Sequence, residues 1–371
     1  MMKKVMLSGG GTGGHIYPAL ALADAVRRRH PDVKLGYIGT KEGLESRIVP
    51  KAGEISFFDV EIQGFKRKIS LDNVETIAKF IRAVKKCKEY IRKFSPDVMV
   101  GTGGYVSGPA LYAATKLGVP TLILEPDVLP GLTTRFLSRY VNVTAISLTG
   151  SEKYLTKAKR ILHTGNPRGT EVIHAKKEAG RASLGLADSD KPIVLIFGGS
   201  RGAKPINDAV ESMLPQLTKA PDIHFVYVTG EVHYKDVTDK IDTDQWPNLI
   251  VKPFIYNMPD VLAASSMVIS RAGATTLAEV TALGVPAVLI PSPYVTNNHQ
   301  ELNARLLDDH NAGRMILEKE LTGERLWETI SEVMGNHGHH RQMSEASRKL
   351  GRPDAAEVIL DELEKLSATR R

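Results

Sequence analysis

Four times along this chain a short apolar run gives way to glycines and other small residues, then directly to a helix-period pattern. The runs are Val5-Met6-Leu7 before Ser8–Tyr17, Val98-Met99-Val100 before Gly101–Pro109, Pro192–Phe197 before Gly198–Ala203, and Met267-Val268-Ile269 before Ser270–Glu279. A three- to six-residue apolar run between breakers reads as a buried strand. In the opening unit Ile16, Leu20, Ala23 and Val26 fall on one helical face, with Arg27, Arg28 and Arg29 at its far end. Strand, glycine-rich turn and helix together form an anion cradle. Glycine lets the backbone approach a ligand, and the helix start offers unpaired N–H groups to negative charge.

The repetition predicts two doubly wound α/β halves. The first half adds strands at Lys34–Ile38, Gly53–Val60 and Pro120–Leu124, and a long helix with Ile77, Phe80, Ile81, Val84, Lys88, Ile91 and Phe94 on one face. A helix from about Ala110 to Leu117 follows the second glycine turn. The chain begins again at Lys191, with further strands at Ile223–Val228, Leu249–Val251 and Pro286–Pro291. Two domains suit 371 residues better than one. The expected domains are 1–165 and 166–353, joined between about Leu162 and Arg181. A C-terminal helix, about 354–371 with Ala356, Ile359, Leu360 and Leu363 on one face, is expected to pack back on the first domain.

A single cysteine, Cys87, excludes a disulfide framework within the chain and suits a reducing compartment. The opening Met1-Met2-Lys3-Lys4 precedes an apolar run too short for a signal peptide, and no stretch is long enough to span a bilayer. These features predict a chain kept in the cytoplasm. Its 49 Lys and Arg against 42 Asp and Glu, formally +7, ask for an anionic partner. Nucleic acid is not expected, because no zinc-finger or RNP-type motif occurs and the aromatics form no stacking platform.

His15 stands where the first turn becomes a helix, which makes it a candidate proton acceptor. Gly9, Gly11 and Gly14 satisfy a dinucleotide-type spacing, but the second strand runs into Gly39-Thr40-Lys41 with no carboxylate at its tip. Glu42 and Glu45 come later, at an expected helix start, so another phosphate or sugar ligand is favoured. Glu125-Pro126-Asp127 lies at the carboxyl end of a strand, where ligands of open parallel sheets sit. Around Gly273, Ala274, Thr275 and Thr276 small side chains and hydroxyls flank a helix start, which suits a diphosphate. Glu279, one turn on, would accept bonds from a ribose diol; the competing reading is a helix-stabilising first-turn acid. Gln300 follows the next strand end. No metal-ligand spacing appears, and His337, His339 and His340 read as a solvated loop cluster.

In order, Gly-Gly-Thr-Gly-Gly-His, Gly-Thr-Gly-Gly-Tyr-Val-Ser-Gly-Pro, Thr-Gly-Asn-Pro-Arg, Gly-Gly-Ser-Arg-Gly-Ala and Arg-Ala-Gly-Ala-Thr-Thr-Leu-Ala-Glu cover nearly the whole chain. This series resembles the MurG family of UDP-N-acetylglucosamine transferases, which complete the lipid-linked peptidoglycan precursor. The resemblance implies a GT-B fold, two Rossmann-like domains with parallel sheets facing across a cleft. It implies inverting, metal-independent transfer of N-acetylglucosamine from UDP-N-acetylglucosamine to the 4-hydroxyl of undecaprenyl-diphosphate-linked muramyl-pentapeptide, with no cofactor. By motif, Thr12, Gly13 and Gly14 would contact the donor side of the cleft, and Tyr105 and Asp127 would bind substrate. Arg168, Ser200 and Ala274, Thr275, Thr276, Leu277, Ala278 and Glu279 would hold the nucleotide and its phosphates. Ile255 would meet uracil through its backbone, and Gln300 the sugar. The implied place is the cytoplasmic face of the cell membrane, with an anionic bilayer and other cell-wall synthesis and division proteins as partners.

One departure stands out. Where the family shows His-Glu-Gln-Asn, this chain has Leu124-Glu125-Pro126-Asp127, and an ionised Asp accepts but cannot donate. His15 is the first candidate for the general base, with Glu125 or Asp127 the second. A UDP-sugar epimerase of the same architecture and a lipid glycosyltransferase with another acceptor are the alternatives. The membrane surface is expected at Phe65-Lys66-Arg67-Lys68-Ile69 and the long helix after it.

Overall fold

The structure, a computed structural model, describes residues 2–64, 72–199 and 202–369, and the side chains of all of these except 72–74. Phe65–Ile69, expected at a membrane surface, and Ser200, expected at the nucleotide, lie outside the described residues.

The chain divides into two compact units, Met1–Arg168 with Asp354–Arg371, and Gly169–Pro353. The first unit runs β1 (Lys4–Ser8), α1 (Gly13–Arg29), β2 (Lys34–Thr40), α2 (Glu45–Ile48), β3 (Ile55–Val60), α3 (Asp72–Phe94), β4 (Val98–Gly101), α4 (Ser107–Lys116), β5 (Thr121–Glu125), α5 (Leu132–Leu137), β6 (Val143–Ile146) and β7 (Ile161–His163). Helix α6 (Pro167–Val172) spans the division. The second unit continues with α7 (Lys177–Ser183), β8 (Ile193–Phe197), α8 (Lys204–Met213), β9 (His224–Val228), α9 (Glu231–Thr238), β10 (Leu249–Lys252), α10 (Met258–Ala264), β11 (Met267–Ser270) and α11 (Ala274–Leu283). It closes with β12 (Ala287–Leu289), α12 (His299–Asp309), β13 (Gly313–Met315), α13 (Gly323–Met334) and α14 (His337–Leu350); α15 (Ala355–Ala368) returns to the first unit.

The first sheet is seven-stranded in the order β3-β2-β1-β4-β5-β6-β7 and the second six-stranded in the order β10-β9-β8-β11-β12-β13. Their pairings are all parallel. The strand order reverses between β1 and β4, and again between β8 and β11. Beyond the carboxyl ends of those strands is where an open parallel sheet binds ligands. Ser8 aligns with Gly101 there, and Phe197 with Ser270, so each unit brings two of its small-residue turns to one sheet end.

Helix α15 joins the first unit's core through Ala356, Ile359, Leu360 and Leu363, none more than 1% exposed. Full burial of such side chains contributes about 1.5–3 kcal/mol each, so this helix is part of the fold. Arg160 donates twice to buried Glu362, at 2.6 and 3.0 Å, fastening α15 beside β7.

Three details differ from the sequence reading. Helix α4 starts at Ser107, because the Ser107 hydroxyl is already bonded back to Ser8 and Gly103 carbonyls. In α3 the packed stripe is Ala83, Val84, Cys87 and Ile91, whereas Ile77 and Ile81 are 51% and 63% exposed. Phe80 is partly buried against the same cluster, so of the apolar side chains expected at a membrane surface Val84 belongs to the core while Ile77 and Ile81 stay exposed. His337, His339 and His340 belong to the first turn of α14, not to a loop: His340 bonds the Ser266 carbonyl and His339 sits against Arg314.

Candidate functional site

In the first unit the two glycine turns interlock at the ends of β1 and β4. Thr102 N–H and Oγ1 reach the carbonyls of Ser8 and His15, at 2.9 and 2.6 Å, and Ser107 Oγ donates to Ser8 and Gly103. Gly103 and Gly104 both have positive φ, +105° and +79°, and a Cβ on Gly103 would lie 2.6 Å from His15 Cδ2. Glycine is required by both torsion and space.

His15 lies in the first turn of α1, half-buried, with Nδ1 3.0 Å from the Gly10 carbonyl oxygen and 3.3 Å from Thr12 Oγ1. Thr12 is the N-cap, extended, and its side chain accepts no cap bond, so the turn Thr12-Gly13-Gly14 presents backbone N–H groups outward. Tyr105 packs against Gly11 and Gly64. Arg168 lies with its guanidinium 5.8 Å from the Tyr17 ring of α1. The first unit therefore gathers Thr12, Gly13, Gly14, His15 and Tyr105 around the two turns.

Glu125 ends β5 only 2% exposed. One of its oxygens accepts from Asp127 N–H and the other from Gly131 N–H, both at 3.1 Å. Burial, followed by the nearby Asp127 charge, pushes its carboxyl up to about 8. The residue clamps the 126–131 loop. Asp127, on that loop, is half-buried.

In the sequence Glu45, two residues after Gly43, reads as an ordinary helix-start acid. It is fully buried, and its oxygens accept from Thr40 N–H, Thr40 Oγ1 and Gly11 N–H at 3.0, 2.6 and 3.2 Å. A carboxyl does reach the tip of β2, supplied by α2, but it is committed to protein donors rather than to a ribose.

In the second unit a cavity of about 480 Å³ is lined by Gly198, Gly199, Gly202 and Ala203 after β8, by Arg271, Gly273 and Thr276 at the start of α11, and by Ser292, Tyr294 and Gln300. Gly273 is the N-cap of α11, has no capping side chain, and carries empty space where a Cβ would be. The first N–H groups of α11 thus meet the cavity as an anion site does. Gln300 Oε1 accepts from Ser292 N–H at 2.9 Å, which turns its Nε2 donors away from that contact. Arg271, which sequence reasoning did not select, pairs with Glu318 at 2.5 Å and donates to the Ile290 carbonyl. The signal available for it was its place two residues before the turn glycine, Gly273.

Ala274 and Leu277 are buried, Thr275, Thr276 and Ala278 half-buried, and Ile255 is 6% exposed. Glu279 is 6% exposed and lies beyond the first turn of α11, which contains no acid, so the first-turn helix-stabilising reading is excluded. Among the described residues no three His, Cys, Asp or Glu side chains converge as a metal site would require.

Residues 5–146 match the glycosyltransferase family 28 N-terminal domain and residues 193–359 its C-terminal domain. The UDP-N-acetylglucosamine--N-acetylmuramyl-(pentapeptide) pyrophosphoryl-undecaprenol N-acetylglucosamine transferase of Bacillus cytotoxicus is 50% identical over 364 residues, 98% of this chain and 99% of that one. Transferase 1 of that description from Bacillus cereus is 52% identical over 365 residues, again 98% and 99%. The crystal structure of Acinetobacter baumannii MurG superposes with a TM-score of 0.78 at 28% identity, covering 98% and 99%. UDP-GlcNAc 2-epimerase from Neisseria meningitidis superposes with a TM-score of 0.70 at 15% identity over 98% of this chain and 100% of that one, a likeness of fold alone. The domain matches and an identity that runs through both units place the chain in glycosyltransferase family 28, as a member of its MurG transferases.

Proposed function

We propose that this chain transfers N-acetylglucosamine from UDP-N-acetylglucosamine to the 4-hydroxyl of muramyl-pentapeptide carried on undecaprenyl diphosphate. The observation that carries this reading is the 50–52% identity, over 98% of the chain, to transferases described by that reaction. An epimerase has only the shared fold to support it.

The chemistry divides between the units. The acceptor hydroxyl is a weak nucleophile and needs a base within hydrogen-bond reach. His15, its Nδ1 turned to the Gly10 carbonyl, would take the proton at Nε2. Because both oxygens of Glu125 hold a loop, Asp127 is the better second candidate. As the new bond forms between the acceptor oxygen and the anomeric carbon, the bond from that carbon to the diphosphate oxygen breaks. The electron pair leaves with UDP and the configuration inverts. The N–H groups opening α11, with Arg168, would meet the charge that develops on the diphosphate. Glu279 would bind the ribose, Ile255 the uracil and Gln300 Nε2 the sugar.

An acceptor with a polyprenyl tail stays in the bilayer, so the enzyme would work as a peripheral protein at the membrane's cytoplasmic face. Among the described residues no helix is long and apolar enough to cross a membrane. Exposed Ile77, Ile81 and Leu132, near the basic second half of α3, support a surface contact. Transfer of radiolabelled N-acetylglucosamine from its UDP donor to a defined lipid-linked muramyl-pentapeptide tests the reading. Label found in free sugar or in a UDP-sugar epimer, with none in lipid, would overturn it.

A further inference from the structure

One peptide unit in the first glycine turn is gripped at both ends. The Gly11 N–H donates to Glu45 Oε2 at 3.2 Å, and the Gly10 carbonyl oxygen lies 3.0 Å from His15 Nδ1. These two groups belong to the same planar peptide and point in opposite directions. A carbonyl oxygen only accepts, so its contact with Nδ1 requires the proton to be on Nδ1 and leaves the lone pair on Nε2.

The surroundings are shaped to admit the Glu45 carboxyl. A Cβ on Gly10, Gly39 or Gly43 would come within 2.5, 2.8 or 2.4 Å of Glu45 atoms. The two remaining bonds, from Thr40 N–H and Oγ1, fix one oxygen and aim the other at Gly11. The preceding carbonyl, Gly9, is held by the Tyr37 hydroxyl at 2.7 Å. Each end of the peptide polarises the other. A carboxylate on the N–H enriches the carbonyl oxygen, and hydrogen bonds in such a chain strengthen one another. The ionisable side chains against this stretch include Tyr37 and Glu45 from the β2–α2 segment, and Tyr105, packed on Gly11.

We infer that Glu45 is a positioning residue for His15: through the Gly10–Gly11 peptide it fixes the imidazole as the Nδ1–H tautomer and favours the imidazolium formed when Nε2 takes a proton. This rests on the reading of His15 as the base. Glu45 itself touches no substrate. It acts as an orienting carboxylate does in a dyad, with a peptide in between.

Glu45→Gln separates the relay from simple packing. An amide that keeps its oxygen on Thr40 must turn its NH2 group toward the Gly11 N–H, so donor faces donor. Thr40→Val is the control, since it removes a bond to the same carboxyl and spares Gly11. Histidine ¹⁵N spectra of the whole protein report the tautomer and titration of His15 without any substrate. The expected result is Nδ1–H in the wild type. In Glu45→Gln the His15 titration should fall by roughly half a unit or more. The acid limb of the kcat profile should follow it downward, and kcat should drop about tenfold or more while the donor KM changes less than about threefold. Thr40→Val should leave the titration in place. An Nε2–H tautomer in the wild type, an unmoved titration in Glu45→Gln, or equal shifts in both variants would each overturn the inference. If His15→Ala keeps full activity while Glu45→Gln still moves the titration, the base assignment fails and the positioning of the ring stands.

Discussion

A Cβ on Gly104 would stand 2.2 Å from the carbonyl oxygen of Gly10, so the two glycine turns of the first unit are cut to fit each other. Gly104 also holds φ +79°, where an L side chain is strained. Gly104→Ala should therefore destabilise by about 1–3 kcal/mol from the torsion alone, with the contact adding to it. Thermal unfolding and turnover measured together check this; an alanine variant of wild-type stability would mean that the turns are not tightly apposed.

His15→Ala should lower kcat far more than it weakens donor binding, because a base acts mainly in the transition state. General base catalysis contributes typically 10²–10⁴-fold. A loss below about tenfold would transfer the role to Asp127, since Glu125 keeps both oxygens on backbone donors.

Glu279→Gln should weaken UDP-N-acetylglucosamine binding with little change in thermal midpoint. The side chain is buried in the second turn of α11, where its charge adds nothing to the helix start. A sharp fall in midpoint with donor affinity retained would make Glu279 a purely structural acid.

Much of the fold is legible in the sequence alone. Strand, small-residue turn and helix recur because a parallel sheet covered by helices needs apolar runs and tight turns, and those signals are local. The buried face of α15 was readable from Ala356, Ile359, Leu360 and Leu363 for the same reason. Glu45 was not readable. Its role depends on a single-turn helix folding back onto the end of β2, and nothing in Gly43-Leu44-Glu45 distinguishes that from an exposed first-turn acid. Val84 was unreadable for another reason: its period with Ile77 and Ile81 is correct for α3, but period does not say which part of a face is covered, and Val84 is core while Ile77 and Ile81 are exposed. Arg271 paired with Glu318 joins residues far apart in the chain, which spacing alone cannot anticipate.

The raised Glu125 carboxyl has a pH consequence. Burial and then the Asp127 charge lift it from its ordinary 4.5 to about 8, so the folded chain holds that proton more tightly than the unfolded chain does. Its contribution to stability is complete below the unfolded value and is lost as pH rises through the folded one. The thermal midpoint of the wild type should decline between about pH 5 and 8 more steeply than that of Glu125→Gln. Parallel slopes would show that Glu125 does not carry the dependence.

The last prediction concerns the bilayer. In α3 the second half is packed on the sheet through Val84, Cys87 and Ile91, while Ile77 and Ile81 in the first half, with Leu132 from α5, are 51%, 63% and 68% exposed. Exposed apolar side chains with exposed Lys85 one turn on from Ile81, and exposed Lys86 beside it in the chain, suit an anionic lipid surface. Each basic residue near such a surface is worth about 1 kcal/mol, so a handful gives reversible attachment that weakens with salt. Lys86 also reaches Asp59 at 3.3 Å, so part of its charge is already answered within the protein. Replacing Lys66, Arg67, Lys68, Lys85 and Lys86 with Glu should abolish sedimentation with anionic vesicles, and Ile77→Asp with Ile81→Asp should weaken it with every basic residue in place. UDP-N-acetylglucosamine binding should survive in both variants, because the proposed donor residues Ala274–Glu279 and Gln300 belong to the other unit. Vesicle binding unchanged at low salt in both variants would move the membrane surface elsewhere on the molecule.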